Sequence, residues 1–106
     1  MTKEIQLVTL LDALEGELRN LGQWQETSPN DQALTSQEPF AIDTLAPQEW
    51  LQWIFIARMR GLLTTNQPIP VGFSMAPYFE ENWKEQPSMT TLVNLIQQVD
   101  KVCSDA

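Results

Sequence analysis

The sequence contains no histidine and only one cysteine, Cys103. Without imidazole the chain lacks the usual base of nucleophilic triads, the usual proton carrier near neutral pH and the commonest transition-metal ligand. One thiol can neither close an internal disulfide nor build a structural zinc site. Glycine is also scarce. Gly16, Gly22, Gly61 and Gly72 are the four, and they form no phosphate loop, dinucleotide fingerprint or EF-hand. The expectation is therefore no cofactor, no metal and no catalytic residue. Basic residues are few, six against fourteen acids, for a net charge of −8. Residues 1–53 hold nine acids and two bases (net −7); residues 54–106 hold five acids and four bases (net −1). Arg58 and Arg60 are the densest basic feature. Phosphate backbones are bound by basic footprints that release counterions, so direct contact with nucleic acid or an anionic membrane is not expected. No apolar run approaches the roughly 18–20 residues that span a bilayer. Near the start, Glu4, Gln6 and Asp12 interrupt the run of Ile5, Leu7, Val8, Leu10 and Leu11. No small-residue cleavage site follows, so the segment reads as a helix and not as a signal peptide.

What is present points to one soluble, all-α domain over residues 1–106, a compact bundle of about four helices. The length suits one core, and 42% hydrophobic with 19% charged residues is an ordinary globular balance. The lone cysteine suits a reducing compartment, with the cytoplasm as the expected location. Over residues 3–21, Leu7, Leu10, Leu11, Leu14, Leu18 and Leu21 share one helical face, with Thr2 as cap and Gly22 as stop. That stripe predicts a core face, with a weak homodimer seam as the alternative to a monomer. Residues 23–46 form a long, mostly polar first loop. Residues 27–38 are expected to be mobile and 39–46 to lie on the bundle as a strap.

Residues 46–65 predict a second helix that opens at Pro47 and is capped by Thr44 or Asp43. Trp50, Leu51, Trp53, Ile54, Phe55, Ile56, Met59, Leu62 and Leu63 cover almost every direction around it, which predicts a central helix wrapped by the other elements. Pro68 and Pro70 enforce an extended turn. A third helix follows over about 77–85, capped by Ser74, and a fourth over about 89–104, capped by Ser88.

Few residues carry chemistry. Cys103 lies on the apolar stripe of the last helix and reads as packing. Asp43 with Glu49, and Glu80 with Glu81, are the acid pairs that an unrecognised carboxylate enzyme would use, although acids at helix starts are expected for dipole reasons alone. Arg58 projects between Leu51 and Ile54 on the ideal wheel, so it is expected to be buried against a carboxylate, Asp43 first and Glu80 second. Trp50, Trp53, Tyr78, Phe79 and Trp83 suggest that one or two aromatics line an exposed groove for a protein partner.

Two segments resemble the YqcC-like family of small bacterial proteins. They are residues 39–59, with the run Glu49-Trp50-Leu51-Gln52-Trp53, and residues 68–80, Pro-Ile-Pro-Val-Gly-Phe-Ser-Met-Ala-Pro-Tyr-Phe-Glu. The resemblance implies a bundle of about four helices and no known activity. Some members are named for a tRNA pseudouridine synthase through gene neighbourhood, which implies at most an accessory partner, since nothing here resembles the synthase. Within the matching segments, Asp43, Glu49, Trp50, Gln52, Trp53, Arg58, Pro77 and Tyr78 are candidates for a shared surface, with Glu80 beside them. A protein-interaction module is the leading expectation. The alternatives are an accessory to tRNA pseudouridine modification, a small-molecule binding protein and a carboxylate enzyme.

Overall fold

A computed structural model describes residues 2–104. Among these there are five helices and no strand, in line with the expected all-α domain. Helix α1 spans Lys3–Asn20. The Thr2 hydroxyl accepts the Ile5 N–H at 3.2 Å, and the chain turns out of α1 through Gly22 at φ +72°, a left-handed conformation that glycine adopts without a Cβ penalty. Leu7, Leu10, Leu11, Leu14 and Leu18 are buried in the domain's own core, so the stripe is a core face.

The loop expected to be mobile contains regular structure. Helix α2, Asp31–Leu34, is a single turn whose first N–H groups are served by Asn30, with Oδ1 accepting from Ala33 at 2.8 Å. The strap then forms a 3₁₀ turn at Pro39–Ala41. It buries Ala41 and Leu45 and is tied to α2 by the Thr44 hydroxyl, which donates to the Ala33 carbonyl at 2.8 Å.

Helix α3 opens at Pro47–Glu49, runs through a π-helical segment, Trp50–Ile56, and finishes as Ala57–Thr64. Pro47 takes the first position as expected, but neither Thr44 nor Asp43 caps the helix. Ala46 stands at the cap, and the Glu49 carboxylate reaches back to accept the Ala46 N–H at 2.8 Å, half of a capping box. Thr44 is occupied with α2, and Asp43 accepts from Ser36.

Helix α4, Ala76–Trp83, is not capped by Ser74. Its first donors are met from another element: Asp100 of the last helix accepts the Met75 N–H at 3.0 and 2.9 Å and the Ala76 N–H at 2.8 Å. A 3₁₀ turn, Pro87–Met89, leads into α5, Thr90–Val102, so Ser88 lies inside that turn and makes no cap bond.

The core joins the α1 leucines to Leu92, Ile96 and Val99 of α5, Phe79 and Trp83 of α4, and Leu51, Phe55, Ile56 and Met59 of α3. The most extensive helix contact is between α1 and α5. The expected burial of α3 on nearly every side is only partly met. One face enters the core, whereas Trp50, Trp53 and Ile54 are half-buried and Ala57 and Arg58 are exposed.

Candidate functional site

The uncovered face of α3 forms the floor of an open groove with two lobes. The first, about 390 Å³, is bounded by the strap residues Pro39 and Phe40, by Trp50, Phe55 and Met59 of α3, and by Pro70 and Phe73 of the segment before α4. The second, about 530 Å³, is bounded by Leu34, Ser36, Glu38 and Ala41 with Trp53 and Ala57. Trp50, Ile54 and Arg58 border both lobes. These three stand four residues apart and so share one side of α3; the π segment, with more residues per turn than an α-helix, rotates Arg58 away from Leu51 relative to an ideal wheel.

That rotation turns Arg58 out of the core. Arg58 is not buried, and among the described residues it makes no ion pair with Asp43, Glu80 or any other acid. It stands exposed at the junction of the two lobes.

An aromatic cluster builds the apolar wall. Phe40 stacks on Tyr78 with ring centroids 4.0 Å apart and planes within 8°. It also lies 4.7 Å from Trp50 and meets Phe79 edge-on at 6.2 Å. Phe73 meets Phe55 edge-on at 5.9 Å. Aromatic contacts of this geometry contribute about 0.5–1.5 kcal/mol each beyond burial. Phe40 and Ala41 adopt positive φ, 55° and 47°, a conformation that costs a non-glycine residue about 1–2 kcal/mol and that the surrounding packing must hold. Burial raises the Tyr78 phenol above its ordinary pKa.

Three of the expected surface residues instead anchor the loop that follows α1. Gln52 is buried. Its amide accepts the Gln25 backbone N–H and donates to the Gln25 carbonyl, both at 2.8 Å. The Gln25 side chain in turn accepts from Trp53 Nε1 at 2.7 Å and donates to Glu49 at 3.0 Å. Glu49, Gln52 and the indole N–H of Trp53 therefore have a structural task, which leaves the Trp53 ring to border the groove. Asp43 lies on the exposed strap. Glu80 accepts from Gln97 at 3.1 Å on the α4–α5 side, and Pro77 is exposed on the first turn of α4. The structure thus brings Trp50, Trp53, Arg58 and, through Phe40, Tyr78 together, and leaves Asp43 and Glu80 apart from them. None of Asp43, Glu49, Glu80 and Glu81 borders either lobe.

Sequence reasoning missed Phe40, Ile54 and Phe73 as groove residues and Gln25 as a hub. Phe40 had a signal, since it is a large aromatic directly after a proline in a polar stretch. Gln25 had none. Among the described residues, no three Cys, Asp or Glu side chains gather as a metal site requires, and no helix is long and apolar enough to cross a membrane.

The profile of the DUF446 family, described as tRNA pseudouridine synthase C, matches residues 6–102. The chain belongs to the DUF446 family. A similar fold is seen experimentally in the solution NMR structure of YqcC from E. coli. That structure superposes with a TM-score of 0.85 at 35% identity, covering 99% of this chain and 91% of that one. The expected YqcC resemblance and all-α fold are borne out. In sequence, the uncharacterised protein YqcC of E. coli K12 is 35% identical over 106 residues, 99% of this chain and 97% of that protein. An uncharacterised protein of Haemophilus influenzae is 42% identical over 89 residues, 80% of this chain and 84% of that protein. A third relative, from Pectobacterium carotovorum subsp. carotovorum, is named tRNA pseudouridine synthase C. It is 37% identical over 84 residues, which are 79% of this chain but 22% of that protein.

Proposed function

We propose that this DUF446 domain is a non-catalytic protein-interaction module that receives its partner in the groove along α3. One observation carries the reading. The groove is lined by half-buried aromatics, and the two segments that wall it also carry exposed large apolar side chains: Ile42, 63% exposed, in the strap, and Val71, 46% exposed, between Pro70 and Phe73 in the chain. Exposed apolar side chains of this kind beside an aromatic-lined groove suit a binding face, and aromatic anchors with arginine are the residue types that dominate interface energetics. A photo-crosslinking side chain at Ile54 is expected to give a discrete protein adduct in cells, whereas the same group at Thr91 on α5 gives none. Absence of any Ile54 adduct overturns the reading.

A second reading, an accessory to tRNA pseudouridine modification, is favoured by a different observation. In the Pectobacterium relative, the region matching this chain makes up about a fifth of a protein named tRNA pseudouridine synthase C, so one chain there carries both this domain and a larger remainder. A separate chain of this family would then act on a synthase in trans, in the cytoplasm where tRNA is modified, as a monomer or weak homodimer that leaves RNA contact to the enzyme. The net charge of −8 supports that division of labour. Deleting the gene is expected to lower pseudouridine at the tRNA positions served by such a synthase. Unchanged levels exclude this reading and leave the first standing.

A further inference from the structure

We infer that the groove selects a partner segment in which an aromatic residue stands next to an aspartate or glutamate, the ring entering the apolar lobe and the carboxylate meeting Arg58. The inference rests on the interaction-module reading and adds the chemistry of the occupant.

The arginines supply the first step. Arg19 is held by Glu15 at 2.8 Å and by Glu26 at 3.5 Å. Arg60 is held by Glu15 at 2.6 Å and by Asp12 at 3.0 Å. Arg58 has no acid within ion-pair distance among the described residues, although acids outnumber bases by more than two to one. Among the described residues it is also the sole charged one bordering the first, aromatic-walled lobe. Glu38 borders the second lobe but forms no ion pair with it.

The second step is desolvation. A ring seated against Trp50, Phe55 and Phe73 displaces water beside the guanidinium. Covering a charge without supplying an acceptor is costly, so an occupant that brings a carboxylate is preferred over one that does not. The planar fork of arginine accommodates both carboxylate oxygens.

The third step is charge at long range. A domain of net charge −8 repels an acidic partner and attracts a basic one. The carboxylate is therefore a local feature on a partner that is neutral or basic overall. The two scales of recognition are distinct: net charge steers the encounter, and Arg58 fixes the register.

The test titrates the full-length, isotope-labelled chain with three blocked dipeptides, N-acetyl-Phe-Glu-amide, its Phe-Gln analogue and its Phe-Lys analogue, and follows backbone amide shifts. The Glu peptide is expected to move the amides of Ile54, Arg58 and Phe73 and to bind about fivefold tighter than the Gln peptide, the ratio of a modest ion pair. The Lys peptide is expected to bind weakest. Arg58 is exposed, so the Arg58→Met variant is expected to fold normally, retain the Gln-peptide shifts and lose the preference for Glu. Equal binding of the Glu and Gln peptides in the groove, or a preference that survives in Arg58→Met, overturns carboxylate selection; an Ile54 crosslink obtained alongside would keep the interaction module. Shifts confined to another surface, or none at saturating peptide, overturn the inference as well.

Discussion

The two faces of α3 are built from the same kinds of residue and have different fates. Leu51, Phe55, Ile56 and Met59 are buried against α1, α4 and α5, while Trp53 and Ile54 stay half-wet and Ala57 with Arg58 is exposed. The inner face meets helices with complementary apolar stripes. The outer face meets only short segments, the strap, the loop at Gln25 and the stretch from Pro70 to Phe73, which cover part of it and leave the groove. An apolar girdle around a helix is therefore not sufficient evidence that the helix is enclosed. It can equally signal one face spent on the core and another held open for a second molecule.

The sharpest way to break this comparison is a matched pair of truncations. Leu14→Ala, at a fully buried site facing the core, is expected to lower stability by about 3–5 kcal/mol. Ile54→Ala on the groove side is expected to cost less than about 1 kcal/mol. Urea midpoints read both, and equal losses would mean that the outer face is as structural as the inner one.

Next in size is Gln52→Leu, which keeps the volume and improves apolarity but orphans the N–H and carbonyl of Gln25. A loss of about 1–3 kcal/mol is expected, with exchange of the Gln25 amide rising before that of the α1–α5 core. A stabilised variant would show that the Gln25 anchor is dispensable. Asp100→Ala removes the acceptor for Met75 and Ala76 and is expected to cost about 1–2 kcal/mol, with protection lost first in α4. Ala at Ser74, the cap expected from sequence, should change stability by less than about 0.5 kcal/mol.

Another small effect concerns acid. Hydrogen bonds from Arg19 and Arg60, helped by their charges, hold the Glu15 carboxyl below its ordinary pKa. The resulting stabilisation is fully present above the unfolded value and is lost as pH falls through the lower folded value. Glu15→Gln is thus expected to be less stable than the wild type by under about 1 kcal/mol near neutrality, with the gap closing on acidification below about pH 5. A gap that widened in acid would contradict the assigned direction.

Much of the fold could be read from the sequence because it was written in periodicity. The leucine stripe of α1, Pro47 at the head of α3 and the apolar face of α5 each announce themselves locally. Caps were read poorly. Ser74, Ser88, Thr44 and Asp43 have the right chemistry at nearby positions, yet the bonds are made by Asp100, twenty-four residues away from Ala76, and by Glu49 from inside its own helix. A long-range cap leaves no local trace. Arg58 was misplaced for a related reason, since wheel arithmetic assumes uniform α geometry and a seven-residue π segment, Trp50–Ile56, intervenes. Of the candidate site, Trp50, Trp53, Arg58 and Tyr78 were found from residue type. Phe40 and Phe73 were not, because their role depends on how the strap and the proline-rich turn fold back across α3.

The position of Cys103 gives the molecule a built-in clock. Its side chain is fully buried, burial raises the thiol pKa and Asp100 adds to the shift while Lys3 opposes it, and the Cys103 carbonyl is tied to Gly72 at 2.8 Å. A neutral, enclosed thiol reacts only when its surroundings come apart. Because the sequence holds no other cysteine, the rate at which an alkylating reagent adds one mass tag reports how often the α5 end and the turn at Gly72 part company. An occupant that clamps the groove through Phe73, next to that turn in the chain, would slow the tick without touching the sulfur.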